Sequence, residues 1–209
     1  MKKEPESIEK DLTEEKKKAP TDNVREMYFW AQALTIALAA LVLLNTFFFR
    51  LSGVHGSSMC DTLANGDQLI LQIIGYDQPR RGDIIVCTSD GFGGEALVKR
   101  VIAVAGDVVD IDADGNVVVN GETLYEPYIR EPILPGKRGD QQYPLTVREG
   151  CLFVMGDNRN GSTDSRFTMV GQISEERVLG KVLFRFWPLT KIGVLRHGTG
   201  SEDPAALAG

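Results

Sequence analysis

The stretch Ala96-Leu97-Val98-Lys99-Arg100-Val101-Ile102-Ala103-Val104 has the aliphatic, β-branched composition of a strand, yet carries two cations at its centre. Alternate residues of a strand share a face, so Lys99 lies with Leu97, Val101 and Ala103, all apolar. A lysine there either snorkels to water from a strand edge or is buried among its neighbours. At its ordinary pKa of about 10.4 the side chain is almost fully protonated at neutral pH and is no base. Desolvation disfavours the ammonium form, so burial beside apolar groups is how a lysine becomes able to take a serine proton.

Around this stretch the β pattern continues. Gln68 to Ile74 follows an Asn65-Gly66-Asp67 turn, and Asp83 to Cys87 follows Pro79-Arg80-Arg81-Gly82. Val108 to Ile111 and Asn116 to Val119 flank Asp112-Ala113-Asp114-Gly115 and predict a hairpin. Leu145 to Val147, Cys151 to Met155 and Gly180 to Phe186 complete the strands, and only Ser174 to Leu179 reads as a short helix. The expected fold is mostly β, a single domain over 50–197 with a small β insertion at about 107–150. Within the insertion, Glu126 to Gln142 is rich in Pro, Gly and both charge signs and reads as a long loop. Residues 198–209 read as a disordered tail.

Upstream lies a segment of different character. Residues 1–26 mix Lys and Glu with few large apolar side chains, which predicts a mobile, at most transiently helical segment. From Met27 to Phe49 no residue is charged. As a helix this run covers roughly 30–35 Å, enough for a bilayer's hydrocarbon core. Tyr28-Phe29-Trp30 and Phe47-Phe48-Phe49 suit the two interfaces. Lys10, Lys16, Lys17, Lys18 and Arg25 precede the run and Arg50 alone follows closely, so the N-terminus is expected in the cytoplasm and the β domain outside. Bulky Phe-Phe-Phe-Arg-Leu stands where a small-residue cleavage site would be needed, which favours a retained anchor in the cell membrane.

A few residues beyond the run comes Gly53-Val54-His55-Gly56-Ser57-Ser58-Met59-Cys60-Asp61-Thr62-Leu63. Small residues crowding a serine suit a loop that presents both a nucleophilic oxygen and amide donors, although such dipeptides also mark ordinary turns. Gly156 to Arg166 packs acids, arginines and hydroxyls into one loop after a strand, at a density that suggests an over-determined hydrogen-bonded site. It fits no calcium loop, since Arg159 falls where a ligand oxygen belongs. Asp110-Ile111-Asp112-Ala113-Asp114-Gly115 comes closer, but its twelfth position is Gly121 and strands flank it, so it reads as a turn. Cys60 with His55 lacks an orienting partner, and a Ser-His-Asp triad would have to draw on His197, which sits next to the expected tail.

Composition narrows the classes. The chain has 209 residues, net charge −6 and a pI near 5.0, with no basic stripe interleaved with aromatics, which argues against nucleic acid as a partner. Three cysteines and two histidines form no disulfide framework and no zinc spacing, so neither metal nor cofactor is expected, and the shortage of histidine favours a lysine base.

Ser58-Met59-x-x-Thr62-Leu63, Gly66-Asp67, Arg81-Gly82-Asp83-Ile84-Ile85-Val86, Val98-Lys99-Arg100-Val101-Ile102 with Gly106-Asp107, and Gly156-Asp157-Asn158-Arg159 with Asp164-Ser165-Arg166 follow one another behind an apolar anchor. In that order they resemble the type I signal peptidases, membrane-bound serine/lysine endopeptidases that remove signal peptides from exported preproteins. The resemblance implies Ser58 as nucleophile, Lys99 as general base and Ser162 as a hydroxyl that orients the lysine. It implies an oxyanion hole from the Ser58 amide with Gly56 nearby. Val54, Met59, Leu63 and Val98 match the walls of small pockets that accept Ala-x-Ala-like sites. Arg100, Asp157, Asp164 and Arg166 match positions that buttress the site through ion pairs. The chain departs from the pattern at Asp61, where the family usually has Pro, at Ser57, where Gly is common, and at Asn160-Gly161, which replaces an acidic-Asn pair. Two rivals are a self-cleaving repressor-type serine/lysine peptidase, disfavoured by the membrane run and the lack of a DNA-binding domain, and a catalytically decayed, membrane-anchored β-domain that binds exported proteins.

Overall fold

The structure, a computed structural model, describes residues 6–47, 49–76 and 78–195; the predicted tail at 198–209 and His197 lie outside these. The chain divides after Phe47 into a helix and a β unit. Helix α1 spans Glu6–Phe47. Its section Asn23–Leu43 has mean hydropathy 1.5 and is long and apolar enough to cross a membrane. Thr35 donates its hydroxyl to the Ala31 carbonyl at 2.8 Å, so this polar group is satisfied within the helix itself. Two boundaries differ from expectation. The helix already runs from Glu6 through the charged segment. At the other end Phe49 is not helical but opens strand β1.

The β unit contains β1 (Phe49–Gly53), β2 (Gln68–Gln72), β3 (Ile84–Thr88), β4 (Ala96–Ala103), β5 (Val108–Ile111), β6 (Val117–Val119), β7 (Glu122–Thr123), β8 (Leu145–Thr146), β9 (Cys151–Met155), β10 (Ile173–Ser174), β11 (Val178–Trp187) and β12 (Gly193–Val194). The larger sheet has the order β1-β2-β11-β3-β4-β9-β10, with β12 added on β11, and all its pairs are antiparallel. The insertion forms a second sheet, β7-β6-β5-β8. The helix expected at Ser174 to Leu179 is instead a single 3-10 turn, Glu175–Arg177, between β10 and β11. Val178 already pairs with Cys87, which leaves room for no more than one turn.

Alternation is obeyed where the core needs it. Leu69, Leu71 and Val182 point into one apolar cluster with Val54, Met59, Leu63, Ile84 and Val86. Ile85, Cys87, Val101, Leu152 and Val154 build another on the opposite face. The predicted face Leu97, Lys99, Val101, Ala103 breaks at its end: the pairing of β4 with β9 shifts between Val101 and Ala103. Such a bulge re-aims the following residues, and Ala103 joins Ile102 in a third cluster. That cluster holds Val109, Ile111, Val117 and Val119 against Phe153 and Met155, so the insertion is packed onto the main sheet. At the hairpin tip Asp112 accepts from the Asn116 backbone and side-chain amides at 2.9 and 3.0 Å, committing its carboxylate to the turn. Gly115 there has φ +86°, and a Cβ would lie 2.1 Å from the Ile133 carbonyl oxygen, so only glycine fits.

Candidate active site

Strand β4 carries Lys99 into the protein, 3% exposed, opposite Ile85 of β3. Ser58 lies 41 positions earlier in a turn-rich segment that follows β1, and Lys99 Nζ donates to its Oγ at 2.8 Å. The amine's pKa lies below its usual 10.5 because burial penalises the ammonium; nearby Asp164 opposes this, and Asp157 does so more weakly. The thiol of Cys87 is itself pushed up to about 12 by burial, so it competes for no proton at neutral pH.

The serine segment is held by the loop after β9. The Asn158 amide donates to the Ser58 carbonyl at 3.0 Å, and its side chain to the Ser57 carbonyl at 3.0 Å. Thr62 Oγ1 donates to Asp157 Oδ2 at 2.5 Å. Gly156 is the point of closest approach: a Cβ built there would meet Ser162 Oγ at 2.3 Å and the Ser58 carbonyl oxygen at 2.4 Å. Ser162 therefore lies beside the serine segment. Its buried hydroxyl has no hydrogen-bond partner, so the expected bond to the lysine is not made; the amine is directed at Ser58 instead. Gly56 supplies conformation rather than a donor. Its φ is +91°, and its N–H is taken by Asn65 Oδ1 at 2.9 Å. The Ser58 N–H has no hydrogen-bond partner among the described residues and remains available to an oxyanion.

Behind these groups three arginines, all 2% exposed or less, are each met by a carboxylate. Arg100 makes a two-pronged pair with Asp157, at 2.8 and 2.7 Å, and donates to the Gly82 carbonyl. Arg166 forks onto Asp164, at 2.8 and 2.9 Å, and donates to the Arg159 and Ser162 carbonyls. Arg159 pairs with Glu126 and donates to the Gly156 carbonyl. Buried ions of this kind are tolerated only when paired and hydrogen-bonded throughout, and such pairing makes the geometry specific. Tyr128 lies against Arg100, 3.8 Å from guanidinium carbon to ring centroid, and donates to Glu126. Glu126 and Tyr128 belong to the stretch expected to be a plain loop, so the insertion braces the site. Sequence reasoning passed over these two, together with Arg159 and Thr62. The sequence reading paired two arginines, Arg100 and Arg166, with two acids, so nothing in it called for a third acid, and nothing local marks Glu126 as one.

Val54, Met59 and Leu63, at most 4% exposed, share one apolar cluster, and Val98 packs against it partly exposed. The four expected pocket residues are thus together, with Val98 the one most open to a ligand. His55 is exposed, and Cys60, Cys87 and Cys151 are all free thiols.

Ser58 and buried Lys99 thus meet on a β scaffold, and the comparisons with known proteins show the family. The family model described as signal peptidase, peptidase S26, matches residues 27–187, and the chain belongs to that family of peptidases, hydrolases that act on the signal peptides of preproteins. Among relatives, a probable signal peptidase I-2 of Synechocystis sp. is 34% identical over 91% of this chain and 86% of its own length. A signal peptidase I of Bacillus licheniformis is 35% identical over 87% of this chain and 98% of its own. A crystal structure of a signal peptidase I from Enterococcus faecalis V583 is 32% identical, covering 50% of this chain and 96% of that one with a TM-score of 0.40.

Proposed function

We propose that the protein is a membrane-anchored signal peptidase in which Ser58 and Lys99 form the catalytic dyad. The neutral Lys99 amine takes the Ser58 proton as Oγ attacks the scissile carbonyl, and the resulting ammonium gives that proton to the leaving amine. Water then attacks the acyl-enzyme, losing its proton to Lys99, which returns it to Ser58 Oγ as the acyl product departs. The Ser58 N–H stabilises the oxyanion. Ser162, buried and unpaired, is an acceptor free to hold the lysine while Ser58 is acylated. Val54, Met59, Leu63 and Val98 shape pockets for small side chains, giving Ala-x-Ala-like specificity. The observation that carries this reading is the 2.8 Å contact from Lys99 Nζ to Ser58 Oγ in a site where the lysine is buried.

The substrate reaches this site from a lipid surface. Asn23–Leu43 serves as the anchor, with the basic residues before it on the cytoplasmic side and the β unit outside. On the β unit, Leu51, Ile70, Phe184 and Val194 face one another across four strands in register. Leu51 is 64% and Val194 76% exposed, with exposed Trp187, Leu189 and Ile192 close by in sequence. Such a row is costly in water and is relieved by a bilayer interface. Ser58→Ala and Lys99→Ala are each expected to abolish cleavage of a preprotein with an Ala-x-Ala site in detergent. Cleavage retained by either variant would reject the dyad and favour a site that binds without cutting.

A further inference from the structure

The segment bearing Ser58 is braced on one side by Asn158 and Asp157. On another, the Asp61 carboxylate accepts two hydrogen bonds from Arg130, from Nε at 3.1 Å and from Nη2 at 2.5 Å. Arg130 projects from a well-fixed base. Tyr128, two residues before it, lies against buried Arg100, and Ile133, three residues after it, is buried in the insertion core with its N–H donating to the Gly115 carbonyl at 3.0 Å. Between these anchors the Asn160 side chain donates to Glu131 Oε1 at 2.8 Å and to the Pro132 carbonyl at 3.0 Å. The pair itself stands in solvent, Arg130 70% and Asp61 58% exposed, so salt weakens it.

We propose that Arg130 is a positioning residue for the hydrolysis: by gripping Asp61 it ties the nucleophile's segment to the insertion and holds Ser58 Oγ against Lys99. Position 61 carries an aspartate and not a proline. A proline there would fix one backbone torsion between Ser58 and Thr62; an aspartate fixes none, and an external clamp on its side chain limits the same freedom. The hydrogen bonds from Arg130 also keep the Asp61 carboxyl below its usual range, so the clamp stays charged at any working pH above that range. The proposal rests on the Ser58–Lys99 reading given under Proposed function.

The test is a double-mutant cycle on the full-length protein in detergent, with Asp61→Asn, Arg130→Gln and the pair combined, measured on a preprotein substrate. Each single variant should lower kcat about two- to fivefold with KM nearly unchanged, and the double variant should be no worse than either single one. Raising salt from about 0.05 to about 1 M should bring wild-type kcat towards that of the variants and leave theirs flat. Amide hydrogen exchange over residues 57–63 should quicken in all three variants while the melting temperature holds. Wild-type kcat in either single variant, additive losses in the double one, or unchanged exchange would overturn the proposal. Cleavage by Ser58→Ala would instead sink the dyad, an outcome that the exchange measurement, which needs no catalysis, keeps separate.

Discussion

Replacing Gly156 by Ala puts one methyl group into the point where the two loops of the site meet. The added Cβ would lie 2.3 Å from Ser162 Oγ, 2.6 Å from Ser162 Cβ and 2.4 Å from the Ser58 carbonyl oxygen. The backbone of Gly156 is outside the left-handed region, so alanine adds no torsional strain and the effect is purely steric. The Ser162 hydroxyl is unpaired and can rotate away; its Cβ and the Ser58 carbonyl cannot. To reach even 3.0 Å, that carbonyl must retreat by about 0.6 Å, stretching the hydrogen bond it accepts from the Asn158 amide and carrying Ser58 Oγ away from Lys99. Overpacking of this kind costs about 1–3 kcal/mol, a loss of roughly 2–10 °C in melting temperature for a chain of this size. Since about 1 Å of misplacement costs about a hundredfold in rate, kcat should fall about 10- to 100-fold. The assay is preprotein cleavage in detergent alongside thermal melting, with Gly136→Ala as control because a Cβ there meets nothing within 4 Å. A Gly156→Ala enzyme with kcat within about twofold of wild type and an unchanged melting temperature would refute the packing argument.

Three further outcomes are expected. The rate kcat/KM should rise with pH, because the deprotonated amine is the base, and should level off below the 10.5 of an ordinary lysine because burial has lowered the pKa of Lys99; a profile still climbing through that value would place the lysine in water. Glu126→Ala strands Arg159, a pair whose side chains are 1% and 4% exposed, and should cost about 3–5 kcal/mol in denaturant unfolding; a loss under about 1 kcal/mol would mean that water reaches the arginine. Leu51→Ser with Val194→Ser should weaken sedimentation of an anchor-free β unit with lipid vesicles while leaving cleavage of a short soluble peptide intact, and equal vesicle binding would remove the case for the apolar row.

Local pattern carried much of the fold. Strands β5 and β9 start and end where alternation and turn residues place them, because each is bounded by its own hydrogen-bonding and turn chemistry. The errors lie where a tertiary partner decides. Phe49 is apolar enough to extend the helix, yet it pairs with Gln72 as the first residue of β1. Glu175–Arg177 has helical composition but too few residues between two paired strands for more than a turn. In the site, Lys99 was conspicuous because a cation on an apolar face must either snorkel to water or be buried, and the structure buries it. Glu126 and Tyr128 were not, since an acid and an aromatic in a Pro/Gly-rich stretch look like any exposed loop until Arg100 and Arg159 are seen beneath them.

The chain alone determined what depends on neighbours in sequence: an uncharged run long enough to span a bilayer, strands of period two, and a lysine on an apolar strand face. Only the three-dimensional path could bring Ser58 to Lys99 across 41 positions, hang the insertion's acid on Arg159 and clamp Asp61 with Arg130 from 69 residues away. Periodicity is written residue by residue, whereas contacts between distant segments arise only when the whole core has closed and every buried charge has had to find its partner.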